Sequence, residues 1–122
     1  MTRVLIVDDS AVTLRAMTLL LGRAGYEVLT ATTAEDGLQQ ARTAAPAVIV
    51  LDVELPDGDG YSVCRQLKAD PATVSIPVIL CTARGEALDE ADRAGVEAQA
   101  YLPKPFSPSA LRGLVDGFVR GA

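Results

Sequence analysis

Histidine is absent from the chain, cysteine occurs only twice, and no Cys-x-x-Cys pair exists. Those absences exclude a structural zinc site, which needs four such ligands. Cys64 and Cys81 both lie inside apolar patterns and read as buried, reduced thiols. Lys/Arg runs are also missing, and the formal net charge is −5. A nucleic-acid surface, which relies on clustered cations, is therefore not expected on this domain. No apolar run approaches the ~20 residues of a membrane-crossing helix, and the N-terminus has no apolar signal core. The expectation is a soluble, cytoplasmic protein. Linkers and low-complexity segments are absent too, so residues 1–122 are expected to form one domain.

What the chain does contain is a series of short, fully apolar runs that each end on a polar residue. Val48-Ile49-Val50-Leu51 leads into Asp52, and then into the turn-forming Glu54-Leu55-Pro56-Asp57-Gly58. Val4-Leu5-Ile6-Val7 leads into Asp8-Asp9-Ser10, and Pro77-Val78-Ile79-Leu80-Cys81 into Thr82. A short run of this kind suits a strand buried on both faces, as in a parallel sheet. Tyr26–Ala31 alternates more and reads as an edge strand. Residues 97–102 read as the last strand, with Lys104 just beyond it.

Helical segments fall between these runs. The first spans 11–21 with Asp9 or Ser10 as its N-cap and Val12, Ala16, Leu19 and Leu20 inward. A second starts at the capping-box spacing Thr33–Asp36 and closes at Pro46. A third spans 61–69 after Asp59-Gly60, with Cys64 and Leu67 inward. Residues 86–94 read as a weak, alanine-faced helix. Leu111, Leu114, Val115, Phe118 and Val119 mark an amphipathic final helix. The pattern is α/β: five βα units folded as a doubly wound parallel five-stranded sheet.

In such a sheet all strand C-termini lie on one edge, with neighbouring strands ~4.8 Å apart. Asp8, Asp9, Asp52, Thr82 and Lys104 can therefore converge. Singly, each has an ordinary reading: a cap or turn for the aspartates and Thr82, a solvated surface residue for Lys104. Jointly, three crowded carboxylates call for a cation. Mg²⁺ with an ammonium and a hydroxyl suits a transferring phosphoryl group, and a spare carboxylate can act as nucleophile. Asp52, on the central strand, is the candidate. Asp57-Gly58-Asp59-Gly60 superficially suggests a calcium loop but lacks the spaced ligands and distal Glu of an EF-hand.

The Asp8-Asp9 pair, Asp52, Pro56 with Asp59-Gly60, Thr82-Ala83 and the Tyr101-Leu102-Pro103-Lys104-Pro105-Phe106 stretch occur in order. With these spacings the chain resembles the receiver domain of bacterial two-component response regulators over essentially its whole length. The resemblance implies the flavodoxin-like strand order 2-1-3-4-5 and a phosphorylation switch. Asp52 would accept a phosphoryl group from a histidine kinase or histidine phosphotransfer protein. Asp8, Asp9, Asp52 and the Glu54 backbone carbonyl would bind Mg²⁺, Asp9 directly and Asp8 through water. Lys104 and Thr82 would contact the phosphoryl group, Thr82 and Tyr101 would carry the switch, and Lys104-Pro105 matches a bond often cis in the family. The domain would catalyse only its own phosphorylation and dephosphorylation, signalling to a downstream protein or fused output domain. No direct nucleic-acid or membrane contact is implied, and a phosphorylation-dependent homodimer is compatible with it. Glu54 and Arg84, each two positions past a site residue, are expected to modulate phosphate loss.

Two other classes compete. A Mg²⁺-dependent phosphohydrolase with an Asp nucleophile usually carries a second Asp two residues later, where this chain has Glu54. A flavodoxin-like flavin module is opposed by the acidic first loop, which would repel the cofactor's phosphate.

Overall fold

The apolar runs become parallel strands in the computed structural model, which describes residues 2–82 and 98–120. In chain order the elements are β1 (Arg3–Val7), α1 (Ala11–Arg23), β2 (Glu27–Ala31), α2 (Ala34–Ala44), β3 (Val48–Asp52), β4 (Glu54–Leu55), β5 (Gly58–Asp59), α3 (Gly60–Ala69), β6 (Val78–Thr82), β7 (Ala100–Pro103) and the final helix α4 (Pro108–Val119). The five long strands pair in parallel in the order β2-β1-β3-β6-β7. Because the two-residue strands β4 and β5 form a separate ladder after β3, this is the expected 2-1-3-4-5 order. The helix expected over 86–94, Arg84 and Glu97 fall outside the described residues.

Side-chain alternation divides the core in two. Leu5, Val7, Ile49, Leu51, Val78 and Leu80 point toward α2 and α3, where they meet Ala41, Val63, Cys64 and Leu67. Val4, Ile6, Val48, Val50, Ile79 and Cys81 point toward α1 and α4, where they meet Met17, Leu21, Leu111 and Val115. The cysteines thus lie buried on opposite faces of the sheet and are free thiols. Burial pushes the Cys81 thiol up to about 12, against the pull of Lys104.

Helix starts follow the chemistry of the caps. Ser10, Thr33, Asp59 and Ser107 each accept a hydrogen bond from the backbone N–H three residues on. In α4, Gly113 and Gly117 cost about 1 kcal/mol each relative to alanine. Burial of Leu111 and Val115 contributes about 1.5–3 kcal/mol apiece, so packing outweighs propensity.

Two expectations are corrected. The inner face of α1 is carried by Met17 and Leu21, with Leu14 and Leu20 packed against them. Val12 is 81% exposed and Leu19 51%, while Ala16 is exposed too. The helix runs to Arg23 and its buried stripe is rotated from the one read off its first apolar residue. The last strand begins at Ala100. Ahead of it, the Gln99 side chain accepts from the Val78 N–H at 2.8 Å and replaces a ladder bond. Among the described residues no helix is long and apolar enough to cross a membrane.

Ala45 closes α2 in the left-handed region, at φ 47°. That conformation costs a side-chain-bearing residue about 1–2 kcal/mol, more than the ~0.5–1 kcal/mol of extra backbone entropy that glycine loses on folding. Ala45→Gly is expected to stabilise the chain by roughly 0.5–1 kcal/mol in urea unfolding; a loss of stability would show the strain to be absent.

Candidate functional site

Parallel pairing in register brings the strand ends together. Val7 on β1 lies opposite Leu51 on β3, so Asp8 follows one strand where Asp52 ends its neighbour. The Asp8 N–H donates to the Ala31 carbonyl at 3.0 Å, which continues the β1–β2 ladder past the strand end. Asp8 is 2% exposed and Asp52 7%, whereas Asp9 is exposed. One carboxylate oxygen from each of Asp8, Asp9 and Asp52 lies within 4.8 Å of the others. Asp8 Oδ1 accepts from the Ser10 N–H at 2.9 Å. Its Oδ2 accepts from Lys104 Nζ at 3.0 Å, and the same ammonium lies 3.3 Å from Asp52 Oδ1.

These contacts fix the electrostatics. Burial raises the Asp52 pKa, the Asp8 charge adds to this, and Lys104 with the Glu54 N–H only partly offsets it. Burial alone would pull the Lys104 ammonium down. Its hydrogen bond to Asp8 and the charges of Asp52 and Asp8 outweigh that and hold it above its usual value. Three carboxylates and one ammonium leave a formal charge of −2 around the cluster, which a divalent cation would neutralise. Oxygen donors at this spacing, partly open to solvent through Asp9, suit a hard ion that keeps some of its water.

The cluster opens into a cleft of about 300 Å³ lined by Asp8, Asp9, Ser10, Asp52, Glu54, Leu55, Pro56 and Lys104. Of the residues singled out from sequence, the three aspartates, Glu54 and Lys104 therefore share one site. Thr82 ends β6 beside β3 and is buried; it does not line this cleft, though its carbonyl accepts from the Lys104 N–H at 2.8 Å. Tyr101, on the edge strand β7, is half-buried against the core on the α2–α3 side. The Lys104-Pro105 peptide is cis.

Two residues that the sequence places only in a turn, a loop motif or a helix start prove to have further contacts beside the site. Asp57 turns away from the cleft toward α2, a long-range partnership that no local spacing announces. Gly60 has a close-approach role. A Cβ there would stand 2.4 Å from the Asp52 carbonyl oxygen and 2.8 Å from Val53 Cα. The Gly60 N–H also donates to the Val53 carbonyl at 2.7 Å. The glycine in the Asp-Gly step was the one available signal.

Comparison with known proteins gives a consistent picture. The family model for the response regulator receiver domain matches residues 4–116. The chain is 38% identical over 120 residues to a probable transcriptional regulator, ycf27, of Pyropia yezoensis, covering 98% of this chain and 48% of that relative. It is 34% identical over 121 residues to protein PilH of Pseudomonas aeruginosa, covering 99% of this chain and all of PilH. The chain thus spans about half the length of the ycf27 relative and the full length of PilH. Among solved structures, the receiver domain of the sensor histidine kinase PA1611 from Pseudomonas aeruginosa superposes with a TM-score of 0.90 at 26% identity, over 99% of this chain and 98% of that one. That protein has a magnesium ion coordinated in its active site cleft.

Two outcomes test the site's physics. The folded chain holds the Asp52 proton more tightly than the unfolded chain, whose Asp titrates near the ordinary 3.8. Stability is therefore undiminished below that value and falls as pH rises through the raised one. Without divalent ions, Asp52→Asn should be more stable than the wild type at pH 7, with the gain vanishing as pH drops toward the ordinary carboxylate range. Urea unfolding at several pH values reads this, and a pH-independent difference would contradict it. Gly60→Ala should cost about 3 kcal/mol, since backbone rather than a flexible side chain must yield.

Proposed function

The chain belongs to the response regulator receiver domain family, and from that premise we propose that Asp52 is its phosphoacceptor. The observation that carries the reading is the cluster on the sheet edge: three aspartate oxygens within 4.8 Å of one another, bridged at Asp8 and Asp52 by Lys104. A carboxylate oxygen of Asp52 attacks the phosphorus of a phosphohistidine on a kinase or phosphotransfer protein. The N–P bond breaks as the O–P bond of an acyl phosphate forms, and the imidazole leaves with the bonding electron pair and is protonated from solvent.

Asp8, Asp9, Asp52 and the Glu54 backbone carbonyl are the residues that would hold Mg²⁺, Asp9 directly and Asp8 through water. When bound, the ion supplies positive charge to the phosphoryl oxygens. Lys104 supplies the rest. Its ammonium already stands beside Asp52 and needs only to exchange a carboxylate oxygen for a phosphoryl oxygen. The Thr82 hydroxyl, one strand away, is the proposed donor to the phosphoryl group, and its movement would draw Tyr101 on the adjacent β7 inward. The reaction is stoichiometric and leaves the domain modified, in contrast to a phosphohydrolase that turns over external substrate. Residues 1–122 act as one signalling unit whose output is a downstream protein or a fused output domain. Glu54, on the cleft wall, and Arg84 are the proposed modulators of phosphate loss.

Incubation with Mg²⁺ and a small acyl phosphate such as acetyl phosphate should label the wild type with close to one phosphoryl group per chain. Asp52→Asn should take up none by intact-mass measurement. Stoichiometric labelling of that variant would reject Asp52 as the acceptor.

A further inference from the structure

The loop that walls the carboxylate cleft, residues 53–60, is secured at both ends. The Gly60 N–H donates to the Val53 carbonyl at 2.7 Å, and Asp59 caps α3 by accepting from the Ser62 N–H at 2.8 Å. Between those points β4 and β5 pair as Glu54 with Asp59 and Leu55 with Gly58. The tip of this ladder, Pro56 and Asp57, is exposed. Leu55 packs against the core on the α2–α3 side, and Asp57 reaches across to a different element.

Asp57 Oδ1 accepts from the Ala34 N–H at 2.6 Å, and Oδ2 accepts from the Glu35 N–H at 3.1 Å. Both donors lie in the first turn of α2, 22 and 23 residues away in sequence. That helix already has its own cap, since Thr33 Oγ1 accepts from the Asp36 N–H at 3.1 Å. Asp57 is thus a second, imported cap. The two hydrogen bonds hold its carboxyl below the usual carboxylate range, so it is ionised at neutral pH and favoured by the helix dipole. The same β2–α2 corner anchors Asp8, whose N–H donates to the Ala31 carbonyl at 3.0 Å. Residues 31–35 therefore tie down two parts of the lining of one cleft: Asp8 through its backbone, and the Glu54–Pro56 stretch through Asp57.

We propose that Asp57 is a positioning residue for this site, clamping the cleft loop onto the first turn of α2 so that the Glu54 carbonyl and the carboxylate cluster keep a fixed separation. The proposal rests on the reading of the cleft as a Mg²⁺ and phosphoryl site. A clamp differs from a plain helix cap in what its loss disturbs. Removing Thr33 Oγ1 frays the same helix end and leaves the loop tied; removing the Asp57 carboxylate releases the loop.

The test compares Asp57→Ala with Thr33→Ala in the full chain. Hydrogen exchange of the Leu55 and Gly58 amides is followed by NMR without divalent ions, next to urea stability and a titration with Mg²⁺ alone. Asp57→Ala should speed exchange of the loop amides about tenfold and weaken Mg²⁺ binding about tenfold. Thr33→Ala should lose comparable stability and do neither. Equal effects of the two substitutions on loop exchange, or none from Asp57→Ala, would overturn the clamp. A wild type that gives no response to Mg²⁺ would overturn the Mg²⁺ reading instead, with the metal-free exchange still deciding the clamp.

Discussion

Two buried carboxylates placed side by side are the constraint to which the rest of this structure answers. Parallel pairing of β1 with β3 forces Asp8 next to Asp52, and burial removes the water that would otherwise separate their charges. Lys104 offsets part of that repulsion by reaching 3.0 Å from one and 3.3 Å from the other. The raised Asp52 and the raised Lys104 are two sides of this arrangement. A folded chain that tolerates such a cluster carries a standing preference for an additional cation.

Much of this was legible in the sequence because buried strands and strand-end residues obey simple periodicities. Four apolar residues followed by Asp located β1 and β3, and the ordered spacing of Asp8, Asp52, Thr82 and Lys104 put them on one edge. The inner face of α1 was not legible. Leu20 does pack inward, but Val12, Ala16 and Leu19 are apolar too and stay exposed, so composition alone does not rank rival stripes on a helix rich in Ala and Leu. Packing against Leu111 and Val115 of α4 selects Met17 and Leu21. The start of β7 was misjudged for a related reason: a Gln99 side chain stands in for backbone, a substitution with no signature in hydropathy.

Asp57 shows a different limit. Within Pro56-Asp57-Gly58 it looks like a turn residue, and its neighbours invite a calcium-loop reading. Its partners are backbone N–H groups, which are identical in every sequence. Only the fold reveals which helix start lies within reach, so a site's supporting contacts are harder to read than its reacting groups. Gly60 belongs to the same class. What it avoids is a backbone carbonyl, again invisible in residue identity.

The Lys104–Asp8 contact joins residues 96 positions apart, close to the two ends of the described chain. Closing so long a loop carries an entropic cost that grows only slowly with length, and the contact exists only where β7 lies paired beside β6 on the same sheet as β1. Until β7 is in place beside β6, nothing delivers Lys104 to the edge, and Asp8 and Asp52 face each other without their counter-charge. Charge compensation at the site is thus coupled to completion of the sheet. A chain interrupted before its last strand would hold all three carboxylates and lack the cation that makes their proximity tolerable.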